Sequence, residues 1–437
     1  MLSSSSLAEA CTAATFKPSA FGTEIISVQA NLVTNYSASS PYFLRYVAPT
    51  VELRDSTFCN VTISYTHPGQ DDEVFVETWL PIENPTWNGR FQAVGGGGWQ
   101  AGRYDLSYGN MIGALADGFA TVTTDAGLGS AELPTSWGLK SPGNINWPLF
   151  LNFAADSLID EAVLGKQIVK NLYGQGPEYS YWNGCSQGGR QGLMLAQRYP
   201  TAYDGIAAAA PAIYIPEFLP IIQWPQQIMN ELGHYPFSCE LDAIRAAAIA
   251  ACDDLDGLAD GVINRNYQCL HTFDPYSLVG QTIKCAQPLN GTEIQISEAA
   301  AAVVNASWTG MTTEKGKVTW PGFRADADLT GNDPTTLSGI GIAKTTNCTL
   351  AGGCVGDPNS LGTQWLGLFV AKDPDFDYLN LTRAEWDDLV FYGIQQLDSI
   401  WGTADPDLSR FRDAGGKMVT FHGLVSCASG CAPFSIT

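Results

Sequence analysis

Basic residues and long apolar runs are scarce in this chain of 437 residues. Lys and Arg together number 22 against 44 Asp and Glu, and the formal net charge is −22 at pH 7. Because the phosphate backbone of a nucleic acid repels a protein of this charge, we expect no nucleic-acid partner. No segment approaches the roughly 18 consecutive apolar residues that a membrane-spanning helix needs, so we expect no membrane span.

Cysteine is plentiful, but the Cys-x-x-Cys pair typical of metal-binding and redox motifs is absent among the eleven cysteines. Glycosylation sequons of the form Asn-x-Ser/Thr begin at Asn35, Asn60, Asn290, Asn305, Asn347 and Asn380. Cysteines and sequons together favour an oxidising, secretory compartment. The N-terminal segment MLSSSSLAEACTAATF has no apolar core of a signal peptide. Either this N-terminus is trimmed or mis-assigned, which we favour, or the protein is not exported.

The chain divides into two kinds of sequence. Residues 1–212 and 396–437 alternate strand-like and helix-like segments, which is typical of a parallel α/β sheet. Five apolar runs that end in small residues are predicted as strands: FQAVGGGG, FATVTTDAG, YSYWNGCS, YDGIAAAAPA and GGKMVTFHG. The segment 152–173 has the 3.6-residue period of a helix. Residues 213–395 are rich in Pro, Gly and Asn turns, and we predict an inserted cap of irregular structure that disulfides cross-link.

The segment Gly184-Cys185-Ser186-Gln187-Gly188 is a Gly-x-Ser-x-Gly pattern between a predicted strand and a predicted helix. A sharp turn at this place strains the serine backbone and exposes its hydroxyl, so we predict that Ser186 is a nucleophile. The N–H groups that begin the helix, starting with Gln187, can stabilise an oxyanion. A glycine-rich loop with Gly96 and Gly97 is the expected source of a second donor. The alternative is that Ser186 only caps the helix.

Six segments carry a resemblance to a known family: AVGGGGWQAG, FATVTTDAG, GCSQGGRQG, YDGIAAAAPA, AACDDLDGLADGVI and ADPDLSRFRDAGGKMVTFHG. Over most of the chain they resemble the tannase and feruloyl esterase family of α/β-hydrolases. The resemblance implies an α/β-hydrolase fold with a large inserted, disulfide-rich, calcium-binding cap. It also implies a secreted serine carboxylic ester hydrolase that acts through an acyl-serine intermediate. Its substrates would be feruloyl, hydroxycinnamoyl or galloyl esters, small or polysaccharide-linked, and the sequence does not separate the two specificities. A lipase or peptidase on the same scaffold fits the aspartate-rich loop and the Cys-Ser pair less well.

Four carboxylates are crowded into the eight residues from Asp253 to Asp260. Such crowding is repulsive unless a cation neutralises it, and oxygen ligands favour Ca²⁺. The spacing is not that of an EF-hand, and an ordinary solvated acidic loop is the alternative. The resemblance implies a structural calcium in the cap, with these ligands: Asp253, Asp256, the Leu258 carbonyl, Asp260 and the Val262 carbonyl.

Disulfide connectivity does not follow from cysteine spacing alone. The resemblance implies a Cys252–Cys269 bridge around the acidic loop. We expect three further pairs: Cys11–Cys59, Cys239–Cys285 and Cys348–Cys354. Cys185, Cys427 and Cys431 are left over. In the family, the cysteine before the nucleophile bridges to a cysteine directly after the catalytic histidine; taken alone, Cys185 would be a buried free thiol.

A serine nucleophile of this kind needs an acid and then a histidine further along the chain. His234 and His271 lie in the predicted cap, where we expect structural roles, and His422 ends a predicted strand. The resemblance places the catalytic acid at the position that Ser426 occupies, and a His-Cys pair after it. We therefore expect neither the triad Asp nor the triad His in this sequence.

The codons for Val425-Ser426 can be GTAAGT or GTGAGT, which is the signature of an intron donor site. We hypothesise that the tail VSCASGCAPFSIT is translated intron; a real truncation is the alternative. In both cases the sequence predicts impaired catalysis. A calcium-stabilised remnant that binds ligands or has no function is therefore the rival to an active esterase.

Overall fold

A computed structural model describes residues 3–45, 48–287, 292–333, 341–349 and 353–423 of the chain. The chain forms two compact units. The first comprises Met1–Tyr214 and Ile400–Phe421, and the second comprises Ile215–Ser399 and His422–Thr437. The sequence pattern predicts the change from core to cap at residues 212 and 395.

The described strands have the following bounds: β1 Glu24–Ser40, β2 Val51–Thr66, β3 Val74–Glu83, β4 Arg90–Val94, β5 Ala120–Thr124, β6 Leu139–Ser141, β7 Asn144–Ile145, β8 Tyr179–Cys185, β9 Gly205–Ala209, β10 Thr282–Cys285, β11 Thr292–Gln295, β12 Met311–Thr312, β13 Val318–Trp320, β14 Thr345–Thr349, β15 Gly353–Gly356 and β16 Lys417–Phe421.

The described α-helices have the following bounds: α1 Ser4–Ala10, α2 Tyr42–Arg45, α3 Asp105–Ala116, α4 Trp147–Leu151, α5 Ser157–Tyr173, α6 Gln187–Arg198, α7 Ile215–Ile221, α8 Trp224–Leu232, α9 Ser238–Cys252, α10 Asn266–Thr272, α11 Glu298–Thr309, α12 Ser360–Gln364, α13 Arg383–Trp401 and α14 Ser409–Asp413. Short 3₁₀ turns span Ala13–Thr15, Pro134–Ser136, Asp253–Asp256 and Pro275–Leu278, and π-helical turns span Asn152–Asp156 and Trp365–Ala371.

A mixed sheet with the strand order β1-β2-β3-β5-β4-β8-β9-β16 is the framework of the first unit. Strands β5, β4, β8, β9 and β16 run parallel and coincide with the five apolar runs predicted as strands, so that prediction is confirmed. The prediction of a parallel sheet is incomplete, because β1, β2 and β3 extend the sheet in antiparallel pairing. A disulfide between Cys11 and Cys59 ties the N-terminal segment to β2.

Helices cover both faces of this sheet. Helices α5 and α6 pack on one face, where an added Cβ at Gly165 or Gly192 would press on Val122 or on Trp182. Helix α3 packs on the other face, where its Met111 and Leu115 join a buried cluster with Trp79, Val94, Leu53 and Phe58. This two-sided cover explains why the central strand β5 is buried at every residue rather than at alternate ones.

The predicted helix over 152–173 is confirmed from Ser157 onward, with one difference at its start. Asn152–Asp156 form a π-helical turn, and only then does α5 begin. The helix ends at Gly174, whose φ of 77° is the left-handed cap conformation that glycine adopts readily. A π turn breaks the regular i to i+4 bonding, which the side-chain period of the sequence does not reveal.

The second unit contains more regular structure than its turn-rich sequence predicts. Helices α7 to α12 and most of α13 lie in it, together with three two-stranded ribbons. Its disulfides join Cys239 to Cys285, Cys252 to Cys269 and Cys348 to Cys354. With Cys11–Cys59, these are the four pairs named in the sequence analysis. In the part of the chain described here, no helix is both long and apolar enough to cross a bilayer.

Candidate functional site

Ser186 occupies the sharp turn between strand β8 and helix α6. Its φ of 59° and ψ of −115° form a conformation that residues other than glycine rarely adopt. The Ser186 N–H donates to the Ala209 carbonyl at 3.0 Å, and the Ser186 carbonyl accepts from the N–H groups of Arg190 and Ala212. The hydroxyl caps no N–H of α6, so the capping alternative is wrong.

Glycines on both sides of Ser186 make this turn sterically possible. A Cβ at Gly184 would lie 2.5 Å from the carbonyl oxygen of Gly188. One at Gly189 would lie 2.5 Å from the carbonyl oxygen of Ala209. Both neighbours are backbone atoms that cannot swing away. Gly184 and Gly189 are therefore required by close packing around the serine.

The glycine loop that follows β4 packs directly on the first turn of α6. The Gly188 N–H donates to the Gly96 carbonyl at 3.1 Å, and the Gly95 N–H donates to the Asn183 carbonyl at 3.1 Å. A Cβ at Gly95 would lie 2.6 Å from the Cα of Gly188. The structure thus brings the loop and the serine turn together without an intervening side chain.

The predicted oxyanion donors differ in whether their N–H groups already have acceptors. The Gly96 N–H donates to Gln191 Oε1 at 2.9 Å, and the Gly97 N–H donates to the Gln100 carbonyl at 3.0 Å. Both glycine donors are therefore engaged, which the sequence analysis did not foresee. The Gln187 N–H is the first of α6, and no acceptor for it lies in the described residues.

Two further residues of α6 hold the glycine loop and the first turn of α6 in place, and neither was predicted from the sequence. Gln191 is buried and bridges the loop, since its Oε1 accepts from Gly96 and its Nε2 donates to the Ala101 carbonyl at 3.1 Å. Arg190 is buried beside it, and its Nε donates to Gln187 Oε1 at 2.8 Å. The available signal was the motif itself, because both residues belong to the quoted segment GCSQGGRQG.

Cys185 is the free cysteine of the described residues. Burial raises the pKa of its thiol to about 11, against a smaller lowering by a backbone hydrogen bond at Ser186. The thiol therefore stays protonated and weakly nucleophilic at neutral pH. Cys427 and Cys431 lie outside the described residues, so the structure tests no partner for Cys185 among them.

The histidines of the described chain lie in different settings. His422 follows β16, and its Nδ1 lies 2.9 Å from the Gly423 carbonyl. His271 is exposed on α10 and contacts Tyr267, with ring centroids 4.1 Å apart and the ring planes tilted by 40°. The tail positions discussed above, Val425 and Ser426, lie outside the described residues.

His67, which the sequence analysis did not consider, lies between two carboxylates of the first unit. Its Nδ1 is 2.6 Å from Asp72 Oδ2, and its Nε2 is 3.1 Å from Asp160 Oδ2. Burial would lower the pKa of His67, but the hydrogen bond to Asp72 and the contact with Asp160 outweigh it and raise the pKa. This group joins the turn after β2 to helix α5.

The acidic loop of the second unit is folded back on itself. Asp253 Oδ1 accepts from the N–H groups of Asp260 and Gly261 at 3.2 and 3.0 Å, and Asp256 Oδ1 accepts from the Leu258 N–H at 2.9 Å. Gly257 and Gly261 both have positive φ, 93° and 84°, which allows this curl.

The donor atoms of this loop are of the kind that binds calcium, but the carboxylate side chains are not arranged around a common point. Carboxylate and carbonyl oxygens are the donors that calcium takes. Within the described ranges, however, no three acidic, His or Cys side chains lie close enough together to hold a metal ion. The predicted ligands Asp253, Asp256 and Asp260 therefore do not form a ready coordination shell.

Comparison with known proteins places the chain in a family. The model of the family "Tannase and feruloyl esterase" matches residues 59–429. A "Probable feruloyl esterase" of Arthroderma benhamiae is 38% identical over 370 residues, which cover 84% of this chain and 64% of that protein. The "Tannase" of Aspergillus oryzae is 30% identical over 412 residues, which cover 84% of this chain and 65% of that protein.

A solved structure shows the same fold. The tannin acyl hydrolase from Aspergillus niger superposes with a TM-score of 0.81 at 29% identity, over 98% of this chain and 74% of that one. This likeness confirms the predicted α/β-hydrolase fold. The chain spans less than two thirds of the length of the two curated relatives, at 64% and 65%. The chain belongs to the tannase and feruloyl esterase family.

Proposed function

We propose that this chain carries the nucleophile of a carboxylic ester hydrolase that acts on phenolic-acid esters such as feruloyl or galloyl esters. The observation that supports it most is the strained backbone of Ser186, with φ 59° and ψ −115°, at a strand-to-helix turn against a glycine loop. Strain of this kind costs about 1–3 kcal/mol and persists where function needs it. The names of the relatives supply the substrate class.

In the proposed reaction, Ser186 Oγ attacks the ester carbonyl carbon while a histidine takes the hydroxyl proton. The tetrahedral oxyanion collapses, the bond to the alcohol oxygen breaks, and the histidine returns the proton to that oxygen. Water then attacks the acyl-serine by the same steps and releases the phenolic acid. By the resemblance, the acid of the triad would stand where this sequence has Ser426, and the histidine would follow it, so the full reaction needs two residues that we do not expect in this sequence.

Stabilisation of the oxyanion is proposed to begin with the Gln187 N–H at the positive end of α6. A second donor from the glycine loop requires Gly96 or Gly97 to exchange its present acceptor for the substrate oxygen. For Gly96 that acceptor is a side-chain oxygen, Gln191 Oε1, whereas for Gly97 it is the backbone carbonyl of Gln100. Gly96 is therefore the better candidate.

A non-catalytic product is the second candidate, and the sequence at Ser426 favours it. An α/β-hydrolase without its acid and histidine keeps only about 10³-fold acceleration over water. Hydrolysis of methyl ferulate and methyl gallate by the purified chain separates the two. Turnover that Ser186→Ala abolishes supports the esterase. A rate equal in the chain and in Ser186→Ala supports the non-catalytic product.

We also propose a structural calcium in the acidic loop, held by Asp253, Asp256, Asp260 and two backbone carbonyls, at Leu258 and Val262. The donor chemistry and the positive φ of the loop glycines support it. Calorimetric titration with CaCl₂ tests the site directly. Heat of binding that Asp260→Asn removes, and that the exposed control Asp375→Asn retains, is the expected result. No heat of binding to the parent chain would contradict the site.

We propose that the protein is secreted because it has four disulfides, which form in oxidising compartments. Among the sequons, Asn35, Asn347 and Asn380 are exposed, whereas Asn60 uses its amide to donate to Glu77 Oε1. We therefore expect glycans at the first three rather than at Asn60. Peptide mass spectrometry of the protein expressed in a eukaryotic secretory host checks this.

A further inference from the structure

Arg190 is a buried cation four residues after Ser186. None of its surface is exposed, and no carboxylate of the described chain lies within ion-pair distance of its guanidinium. Taking a charge out of water without an opposite charge is costly. A fully buried, unpaired guanidinium is therefore stable only if its N–H groups find other acceptors.

Those acceptors lie in three separate segments of the first unit. Within α6, Nε donates to Gln187 Oε1 at 2.8 Å. In the π-helical turn, Nη2 donates to the carbonyls of Ala154 at 2.9 Å and Phe153 at 3.3 Å. In the returning chain, Nη1 lies 3.4 Å from the Trp401 carbonyl. The planar fork of arginine suits several acceptors in fixed directions, which a lysine ammonium cannot match.

The same guanidinium adjoins the aromatic cluster behind the glycine loop. Its Cζ lies 6.0 Å from the Trp401 ring centroid, and Trp401 lies 5.3 Å from the Trp99 ring and 5.5 Å from the Phe153 ring. Trp99 follows Gly98 directly, at the end of the tetraglycine run. Arg190 thus contacts the support of the glycine loop as well as the first turn of α6.

Strain at Ser186 makes such support necessary. A serine with a positive φ relaxes to a commoner backbone conformation unless its surroundings hold it. Backbone hydrogen bonds to Ala209 and Ala212 fix the side of the turn next to strand β9. The contact between Arg190 and Gln187 fixes the other side, on the residue whose N–H is the proposed oxyanion donor.

We propose that Arg190 is a positioning residue for the ester hydrolysis inferred above. Its guanidinium fixes the first turn of α6 against residues 153, 154 and 401, and so keeps Ser186 and the Gln187 N–H in reacting geometry. This inference rests on the proposed function, because it assigns Arg190 a role in the same reaction.

The first test measures how fast a fluorophosphonate labels Ser186, by mass spectrometry of the digested protein. We expect Arg190→Met to slow labelling roughly tenfold to hundredfold, because small displacements of a nucleophile have effects of this size. Arg190→Met should lower the labelling rate at saturating reagent. It should change the reagent concentration that gives half of this rate by no more than about twofold. Arg190→Lys should recover part of the rate. Arg45→Met is the matched control, since Arg45 is buried and paired with Asp117, the residue directly after α3. It should label within about twofold of the parent at saturation.

The second test needs no reactivity. Hydrogen–deuterium exchange should rise in Arg190→Met within peptides that cover 182–192 and 150–157, and should not rise there in Arg45→Met. If the parent chain is not labelled at Ser186, the proposed nucleophile fails, and the exchange data alone decide the role of Arg190. A folded Arg190→Met with parental labelling and parental exchange overturns the proposal.

If Arg190→Met yields no folded protein, the labelling rates of the two single variants Arg190→Lys and Gln187→Met, and of their double variant, test the proposal instead. Both variants weaken the same contact, so their combined effect on the labelling rate should be clearly smaller than the product of the single effects. Independent, multiplicative effects would show that Arg190 does not act through Gln187, and would overturn the proposal.

Discussion

The Gly188 N–H donates to the Gly96 carbonyl at 3.1 Å, and this backbone bond joins the glycine loop to the helix that follows Ser186, in addition to the bond from the Gly96 N–H to the Gln191 side chain. Neither residue tolerates a side chain there: an added Cβ at Gly96 would lie 2.0 Å from the Gln100 carbonyl oxygen, and one at Gly188 would lie 2.9 Å from the Gly96 carbonyl oxygen. The geometry of the site therefore depends on the absence of side chains.

Gly96→Ala should lower the free energy of unfolding by about 1–3 kcal/mol, because the added methyl meets backbone atoms that cannot move aside. Gly176→Ala is the matched control, since nothing lies within 4 Å of a Cβ built there and its φ is not positive. The control should stay within about 0.5 kcal/mol of the parent. Urea denaturation measures both, and equal effects would contradict the close packing described here.

Ser186→Gly should be more stable than Ser186→Ala by about 1 kcal/mol, because glycine adopts a positive φ without a Cβ penalty. The order should reverse at Ser5, an exposed residue of α1, where glycine is the poorer helix former by about 0.5–1 kcal/mol. Thermal denaturation of the four variants checks this. An alanine variant at 186 as stable as the glycine variant would show that the turn is unstrained.

His67→Gln should destabilise the protein more at acidic than at alkaline pH. The folded pKa of His67 is raised, so its contribution is complete below the unfolded pKa and is lost as pH rises through the folded pKa. We expect a loss of about 1–3 kcal/mol at pH 5.5, the usual effect of removing a partner from buried carboxylates, and a smaller loss at pH 8.5. Urea titrations at both pH values measure it.

The exposed His271 provides the control for that experiment. His271→Gln should change the free energy of unfolding little at either pH. A deficit in His67→Gln that is the same at pH 5.5 and 8.5 would mean that the charge of His67 does not bridge Asp72 and Asp160 as described.

Glu161→Gln should stabilise the protein, increasingly as pH rises. Glu161 is fully buried in α5, neither carboxyl oxygen has a hydrogen-bond partner among the described residues, and burial raises its pKa well above the usual range. Above the unfolded pKa, folding must take up a proton at this site, and the cost grows with pH until the folded pKa is reached. Glutamine carries no such cost.

At pH 8 the Glu161→Gln variant should gain about 1–3 kcal/mol in free energy of unfolding over the parent, and at pH 4 the gain should be close to zero. Glu9→Gln on the exposed side of α1 should show no comparable trend. Urea denaturation across this range measures the trend, and a gain independent of pH would contradict a protonated Glu161.

The sequence was sufficient to locate the turn at Ser186 because its determinants are local. Gly184, Ser186 and Gly188 lie within five residues, and the strand before them and the helix after them have clear patterns. The same holds for the five parallel strands, each a short apolar run that ends in small residues. Local patterns predict single strands and helices, and here they also predict the turn on which Ser186 lies.

The contacts that hold the site were not predictable, because they join residues far apart in the chain. Arg190 reaches the carbonyl of Trp401, 211 positions away, and His67 reaches Asp160, 93 positions away. The engagement of Gly96 by Gln191 spans 95 positions. The long antiparallel β1–β2 pair was missed for another reason: β1 is exposed or half-buried at every residue before Ser40, so it lacks the continuous apolar run by which the parallel strands were recognised.

The most direct test of the account is to trap the acyl group. The purified chain is incubated with an activated feruloyl ester, quenched in acid and digested with trypsin, and the peptide 171–190 is examined by mass spectrometry. We predict a feruloyl adduct on Ser186 that is absent from Ser186→Ala. An adduct on another residue, or none on the folded protein, would contradict the assignment of Ser186 as the nucleophile.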